Sequence, residues 1–287
     1  MRFLSFHAGD GTTHLGVETD GGIVDLTAAG GADGLPVSAT ALAAGGPDAL
    51  DAVRALLETG PPATSVDGLR LAPAVPDPEK IVCVGANYRK HSAEAGLPVP
   101  ENPIYFAKYR NSLAGHGQAV AIPAATTQVD YEVELVAVIG RPAREVSPSE
   151  ALDHVFGYAT GNDLSARELQ TRTSQWMYGK ILDGFAPLGP YLVTADEVPD
   201  PQQLELRTWV NGAIRQDANT SDMVFDVATL VSDLSQAMTL QPGDLIYTGT
   251  PEGVILGTAE RIWLRPGDLV ECEVGGLGRL STTLVEG

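Results

Sequence analysis

The stretch Val129-Asp130-Tyr131-Glu132-Val133-Glu134-Leu135-Val136-Ala137-Val138-Ile139 decides the fold. β-Branched and other apolar residues dominate it and no helical period fits, so it predicts a strand. Beyond Glu134 the run is wholly apolar, which places it in a core. Glu132 and Glu134 are two positions apart and project from one face of such a strand, their Cα atoms about 6.6 Å apart. Like charges at the mouth of a buried strand repel, and an oxygen-seeking divalent cation such as Mg²⁺ neutralises them directly. The alternative is a pair of glutamates facing water, the reading given to a second such pair, Glu271-Cys272-Glu273. A third carboxylate separates the two cases. Asn162-Asp163-Leu164-Ser165-Ala166-Arg167 follows an apolar-aromatic run, Val155 to Ala159, that reads as another core strand. Asp163 then stands at the end of that strand, just before a helix.

Composition sets the class. The chain has 287 residues, of which 44% are hydrophobic and 19% charged, so it has room for one large globular domain or a large one with a small companion. Its 32 glycines and 20 prolines imply many turns and favour a strand-rich fold. A net charge of −19 argues against nucleic acid and anionic membranes as partners. It also makes an anionic substrate awkward unless positive charge is gathered locally. The lysines, Lys80, Lys90, Lys108 and Lys180, all fall in the central part of the chain, which is where an anion would be held. Cys83 and Cys272 sit in apolar, strand-like contexts and read as packed thiols. No apolar run approaches the ~20 residues a membrane span requires, and the N-terminus carries no long apolar segment, so a cytoplasmic enzyme is the default expectation.

Residues 1–72 are expected to form a small N-terminal α/β unit. Thr13 to Thr19 and Ile23 to Leu26 flank a turn at Asp20-Gly21-Gly22, and Asp48 is placed as the cap of a helix bearing Leu50, Val53, Leu56 and Leu57 on one face. The proline-rich stretch 73–79 is an extended linker, and 80–287 form the catalytic domain. There Ile81 to Gly85 is a short buried strand feeding a short helix on which His91 and Glu94, at i and i+3, are neighbours. A carboxylate beside an imidazole raises its basicity and suits a general base. The flanking segment from Gly96-Leu97-Pro98 to Pro103 reads as a mobile, lid-like loop. Ile104 to Lys108 is a strand ending in a lysine, Ser149 is placed as a helix cap, and His116 as an exposed loop residue. Asn211-Gly212 is a hairpin turn, and Asp226 caps a helix with Leu230, Val231 and Leu234 on its apolar side. Pro242-Gly243-Asp244 and Pro266-Gly267-Asp268 are read as turns feeding hairpins of one sheet.

From Lys80 onward the chain resembles the fumarylacetoacetate hydrolase superfamily. The blocks that carry the resemblance are Gly85-Ala86-Asn87-Tyr88-x-x-His91-x-x-Glu94; Tyr131-Glu132-Val133-Glu134-Leu135; Asn162-Asp163-x-Ser165-Ala166-Arg167-x-x-Gln170; Lys180-x-x-Asp183-x-Phe185-x-Pro187-x-Gly189-Pro190; and Thr248-Gly249-Thr250-Pro251-x-Gly253-Val254. The resemblance implies an α+β, β-rich architecture, a mixed β-roll preceded by the smaller N-terminal domain, in a homodimer. It implies Glu132, Glu134 and Asp163 as ligands of Mg²⁺ or Mn²⁺. His91 and Glu94 become a catalytic dyad with Lys180 beside the bound oxo-acid, and Gln170 and Thr250 line the substrate. Lys108 is counted with them as a substrate contact. The larger hydrolases of the superfamily use a further aspartate ahead of the histidine; the matching segment here has Asn87 instead, which implies the smaller, three-carboxylate branch.

The chemistry implied is cleavage of a carbon–carbon bond in a small anionic 2,4-dioxo acid of the acylpyruvate or fumarylpyruvate type, with the ion stabilising an enolate and Lys180 adding positive charge. The same residues would serve an oxaloacetate-type 2-oxo acid decarboxylase or an oxo-acid tautomerase or isomerase. A catalytically idle metal-binding scaffold ranks last, because a cluster of buried charge is costly to keep.

Overall fold

In the computed structural model of the protein, residues 1–30, 35–96 and 98–287 are described. Leu97, inside the segment expected to act as a lid, lies outside them. The decisive stretch forms a strand over Val133–Ile139, every residue of it buried. It is central in a ten-stranded mixed sheet. On one side it pairs antiparallel with Val155–Asn162, and on the other with Leu245–Tyr247. Leu245–Tyr247 runs parallel to Ile81–Gly85, which is followed antiparallel by Ile104–Lys108 at the sheet's edge.

The absence of an alternating pattern in the central strand has a simple cause. Val133, Leu135, Ala137 and Ile139 enter a core shared with Leu206, Val270 and Val274 of a second sheet and with Leu230, Val231 and Leu234 of the helix Val227–Ala237. Val136 and Val138 enter another core, with Phe3, Leu42, Val53, Ile81 and Leu245. Both faces are covered, so nothing on the strand needs to be polar except the two glutamates at its start. The second sheet has five strands, Ala213–Asn219, Glu205–Val210, Leu269–Val274, Gly278–Glu286 and Ala119–Ile122 in that order.

The ten-stranded sheet continues into the N-terminal residues. Arg2–His7 pairs with Leu192–Thr194, and Thr13–Thr19 and Gly22–Asp25 extend it outward, so residues 1–72 share a hydrogen-bonded sheet and a core with the rest of the chain. The helix of this region spans Ala39–Glu58, with a break at Gly46, whose φ of 53° a side chain would resist. Its cap is Ser38, whose Oγ accepts from Ala41 N at 3.1 Å, and not Asp48. Ser149 caps no helix either: Ala151–His154 is a 3-10 turn without a side-chain cap. The two Pro-Gly-Asp turns feed strands of different sheets, Leu245–Tyr247 and Leu269–Val274. Local turn chemistry is identical in the two, and only long-range pairing separates them. His116 is half-buried and its Nδ1 accepts from Ser281 N at 3.2 Å. Cys83 and Cys272 are buried free thiols.

Close approach between strands limits side-chain size within the sheet. A Cβ at Gly157 would lie 2.2 Å from the carbonyl oxygen of Val193 on the neighbouring strand. Gly157→Ala is therefore expected to force the two backbones apart and lower unfolding free energy by about 1–3 kcal/mol, as overpacking does. Chemical denaturation at constant m-value measures it.

Candidate active site

The register of the central pair assembles the carboxylates. Val133 faces Asn162 and Glu134 faces Gly161, so the strand that carries the glutamates ends beside the strand that delivers Asp163. The ladder is interrupted at Tyr131–Glu132 and resumes where Asp130 faces Ser165. In the gap, Asp163 N donates to Glu132 O at 2.9 Å and Glu132 N to the Asn162 side chain at 3.0 Å, which holds the two acidic segments together. As a result, one carboxylate oxygen each from Glu132, Glu134 and Asp163 lie within 4.8 Å of one another, all three residues buried.

Around this trio the buried charges are dense. Lys180 Nζ bridges Glu132 Oε2 at 2.8 Å and Asp163 Oδ2 at 2.6 Å. Lys108 Nζ contacts Asp163 Oδ1 at 2.6 Å. Arg167 joins Glu132 at 2.6 Å to Asp130 at 2.7 Å and donates to Gln170 Oε1 at 2.9 Å. Asp130, Glu132, Glu134 and Asp163 thus face Lys108, Lys180 and Arg167, all of them buried, leaving one negative charge in excess. The excess falls on Glu134. It makes no ion pair among the described residues, and its one hydrogen bond comes from Gly249 N at 2.8 Å. Burial, then the Asp163 and Glu132 carboxylates, push its pKa well above the ordinary value. Burial pushes Glu132 the same way, but Lys180 and Arg167 outweigh it and hold that carboxyl well below the usual range. Lys180 stays protonated, since Asp163 and Glu132 overcome the effect of its burial.

An all-oxygen set of three carboxylates with one unneutralised member fits a hard divalent cation such as Mg²⁺ or Mn²⁺, and offers no soft ligand for other metals. Asn87 supplies no further ligand. Its amide nitrogen donates to Phe225 O and Thr248 O, at 3.0 and 2.7 Å, and its oxygen accepts from Phe225 N at 2.9 Å.

Glu132 and Glu134 open into a cavity of about 390 Å³ whose wall also includes His91, Glu94, Lys180 and Arg167. Gln170 and Thr250 also line it. Gln170 uses its oxygen on Arg167, which turns its amide N–H groups to the space, and Thr250 Oγ1 accepts from Gln216 Nε2 at 2.9 Å, which leaves its O–H to donate. His91 and Glu94 sit on the helix Arg89–Glu94 as the spacing predicts. Their nearest atoms, Nδ1 and Oε2, are 3.8 Å apart, beyond hydrogen-bond reach. Nδ1 is buried without a partner, while the Glu94 carboxylate accepts from Gly253 N at 3.0 Å.

One expected substrate contact is placed elsewhere. Lys108 is fully buried behind the trio, its ammonium directed at the carbonyls of Lys180, Phe185 and Leu164 as well as Asp163, and it does not line the cavity. It is a clamp, holding Asp163 to the backbone that carries Lys180. Asp130 and Arg167 are the residues that sequence reasoning passed over. The available signal was the repeat Asp130, Glu132, Glu134 at every second position of the sequence, with an arginine four residues after Asp163. Removing the clamp would strand buried Asp163 with less than its full set of partners. Lys108→Met is expected to lower unfolding free energy by about 3–5 kcal/mol, read by denaturant titration against the wild type.

Comparison with known proteins follows the same lines. The model of the fumarylacetoacetate (FAA) hydrolase C-terminal family matches residues 80–285. The mitochondrial oxaloacetate tautomerase of Xenopus laevis is 38% identical over 290 residues, covering 99% of this chain and 90% of that protein. The corresponding Homo sapiens protein, oxaloacetate tautomerase FAHD2A, is 39% identical over 99% of this chain and 92% of its own length. Among solved structures, maleylpyruvate hydrolase from Sphingobium sp. SYK-6, crystallised with manganese (II) ion and pyruvate, superposes with a TM-score of 0.82 at 33% identity, covering 100% of both chains. With the sheet, the acidic trio and these relatives in agreement, the chain is an enzyme that belongs to the fumarylacetoacetate hydrolase family, in its smaller, acylpyruvate hydrolase-like branch.

Proposed function

We propose that the protein is a Mg²⁺- or Mn²⁺-dependent hydrolase that cleaves a carbon–carbon bond in 2,4-dioxo acids of the acylpyruvate type. The observation that carries the reading is His91: an imidazole with an unengaged nitrogen in the same cavity wall as Glu132 and Glu134. Burial lowers its pKa from 6.5, more than Glu132 restores it, so the ring is neutral and able to take a proton at pH 7.

An ion held by Glu132, Glu134 and Asp163 would supply Lewis-acid polarisation of the oxo-acid end of the substrate. The protein's own groups do the rest. Lys180, Arg167, the Gln170 amide and the Thr250 hydroxyl present donors to the substrate's carboxylate and keto oxygens. His91 takes a proton from water, whose oxygen bonds to the distal carbonyl carbon. The bond between that carbon and C3 then breaks, its electron pair passing into C3 and the adjacent carbonyl. Proton return to C3 gives a 2-oxo acid and a carboxylic acid. Glu94, held by Gly253, sits close enough to favour the imidazolium as it forms. A cavity of about 390 Å³ has room for an acyl group beyond the pyruvate unit.

Tautomerisation of an oxaloacetate-type acid is the second reading. Relatives of that name align over 99% of this chain, and proton transfer at C3 uses the same base and donors. Incubation with Mn²⁺ and acetylpyruvate, fumarylpyruvate or oxaloacetate, with products identified by mass, separates the two. Hydrolysis yields a second carboxylic acid. Loss of enol absorbance from oxaloacetate with no new carbon product, and no turnover of either acylpyruvate, would leave tautomerisation.

His91→Ala is expected to reduce kcat by about 10²–10⁴-fold, the range for removal of a general base. Because burial holds the folded pKa below 6.5, the acid limb of kcat/KM should have its midpoint below pH 6.5; a midpoint above 6.5 would contradict a neutral buried base. Mg²⁺ or Mn²⁺ should raise the melting temperature of the wild type, by about 2.7 kcal/mol of added stability at a hundred times Kd. Glu134→Gln should abolish that shift without loss of metal-free stability, since the amide has no charge to offer an ion and matches the neutral carboxyl that burial and the neighbouring carboxylates favour.

A further inference from the structure

The segment 249–253 runs from the acidic trio to the helix that carries His91, and three of its residues meet the site. Gly249 N donates to Glu134 Oε2 at 2.8 Å, Thr250 lines the cavity, and Gly253 N donates to Glu94 Oε2 at 3.0 Å. The support behind this segment comes from the other sheet. On the edge strand Ala213–Asn219 the one buried residue is Gln216, a glutamine where an apolar side chain would be expected. Its neighbour Arg215 backs the same segment, since a Cβ at Gly253 would lie 2.3 Å from Arg215 O.

The carboxamide of Gln216 uses its full hydrogen-bonding capacity. Oε1 accepts from Val133 N at 3.0 Å and from Thr208 Oγ1 at 2.8 Å. Nε2 donates to Thr250 Oγ1 at 2.9 Å and to Pro251 O at 3.0 Å. Two of these partners are backbone groups that fix which way the amide faces. Val133 N can only donate and Pro251 O can only accept, so a flipped amide would set donor against donor and acceptor against acceptor. Thr250 Oγ1 must therefore accept from Gln216. Its own O–H is then free, and among the described residues it donates to no group. Val133 lies between Glu132 and Glu134, so one buried amide joins the backbone of the acidic trio to the hydroxyl across the cavity.

We propose that Gln216 is a positioning residue that makes Thr250 a donor: held from both sides, its amide turns the threonine proton into the cavity, toward an oxygen of the bound oxo-acid. This rests on the reading of the cavity as an oxo-acid site. Gln216 itself touches no substrate and acts through the hydroxyl alone.

The test uses pyruvate as probe, titrated by calorimetry into the Mg²⁺-loaded protein at about pH 8, where a carboxyl group is ionised. Gln216→Glu keeps the shape and both acceptor contacts. Its carboxylate has no proton for Thr250, so the threonine O–H turns back to it. Kd for pyruvate should rise roughly tenfold in Gln216→Glu and in Thr250→Val, the effect of one hydrogen bond to a charged partner. The double variant should bind no more weakly than Thr250→Val alone, because both changes remove the same contact. Thr250→Ser, which keeps the hydroxyl, should stay within about threefold of wild type. Additive losses in the double variant overturn the proposal, and so does a wild type that binds no pyruvate. A spectroscopic check needs no folded Gln216 variant. In wild type the side-chain amide ¹⁵N resonance of Gln216 should shift when pyruvate is added, and in Thr250→Val it should stay in place; a resonance that pyruvate leaves unmoved in wild type overturns the proposal. If neither acetylpyruvate nor fumarylpyruvate is hydrolysed while the double variant matches Thr250→Val, the hydrolase reading fails and the positioning role stands. If both are hydrolysed while the losses add, the reverse holds.

Discussion

Everything in the site depends on an imbalance of buried charge: Asp130, Glu132, Glu134 and Asp163 against Lys108, Lys180 and Arg167. Burying one unpaired carboxylate costs several kcal/mol, and removing a partner from a buried pair costs about 3–5 kcal/mol. A protein can carry such a cluster only on a rigid frame. Here the frame is the pair of strands Val133–Ile139 and Val155–Asn162, packed by apolar residues on both faces and locked in register by seven facing residue pairs. A slip of one residue would turn Glu134 into an apolar core.

The imbalance also explains how a strongly acidic chain handles an acidic substrate. With three cations against four carboxylates the cluster alone would repel an anion. With a dication in place, four carboxylates and three cations would sum to one positive charge, close to donors from Lys180, Arg167, Gln170 and Thr250. On the proposed function, metal and substrate would be coupled through charge, and the coupling would follow from which residues are buried together. It needs no change of shape.

Much of this was legible in the chain, and the rest was not for physical reasons. Ile81–Gly85, Ile104–Lys108, the hairpin at Asn211-Gly212 and the helix capped by Asp226 are written in local pattern and turn chemistry, and the structure reproduces them. The trio is legible because two strand ends carry acids in otherwise apolar runs. Lys108 misled, since a lysine ending a strand beside a site looks the same whether its ammonium points to substrate or to backbone carbonyls. That choice depends on the partners brought by Leu164, Lys180 and Phe185, remote in sequence. The caps expected at Asp48 and Ser149 failed through local competition: the helix already starts at Ala39 behind Ser38, and Ser149 Oγ lies 3.0 Å from Ser147 Oγ.

Asp130 shows how one short segment ties the inner part of the cavity to the outer. Its carboxylate orients Arg167 at the carboxylate trio and at the same time accepts the N–H groups of Ile255 and Leu256, which start the loop at the mouth. Glu132 and Glu134, two and four residues on, belong to the acidic trio; Asp130 ties that trio to the rim. Relatives of this chain with the same sheet carry the names of a tautomerase, a hydrolase and an isomerase. A loop held from behind by one carboxylate would let side chains at the rim differ without disturbing the segment that carries the acidic trio.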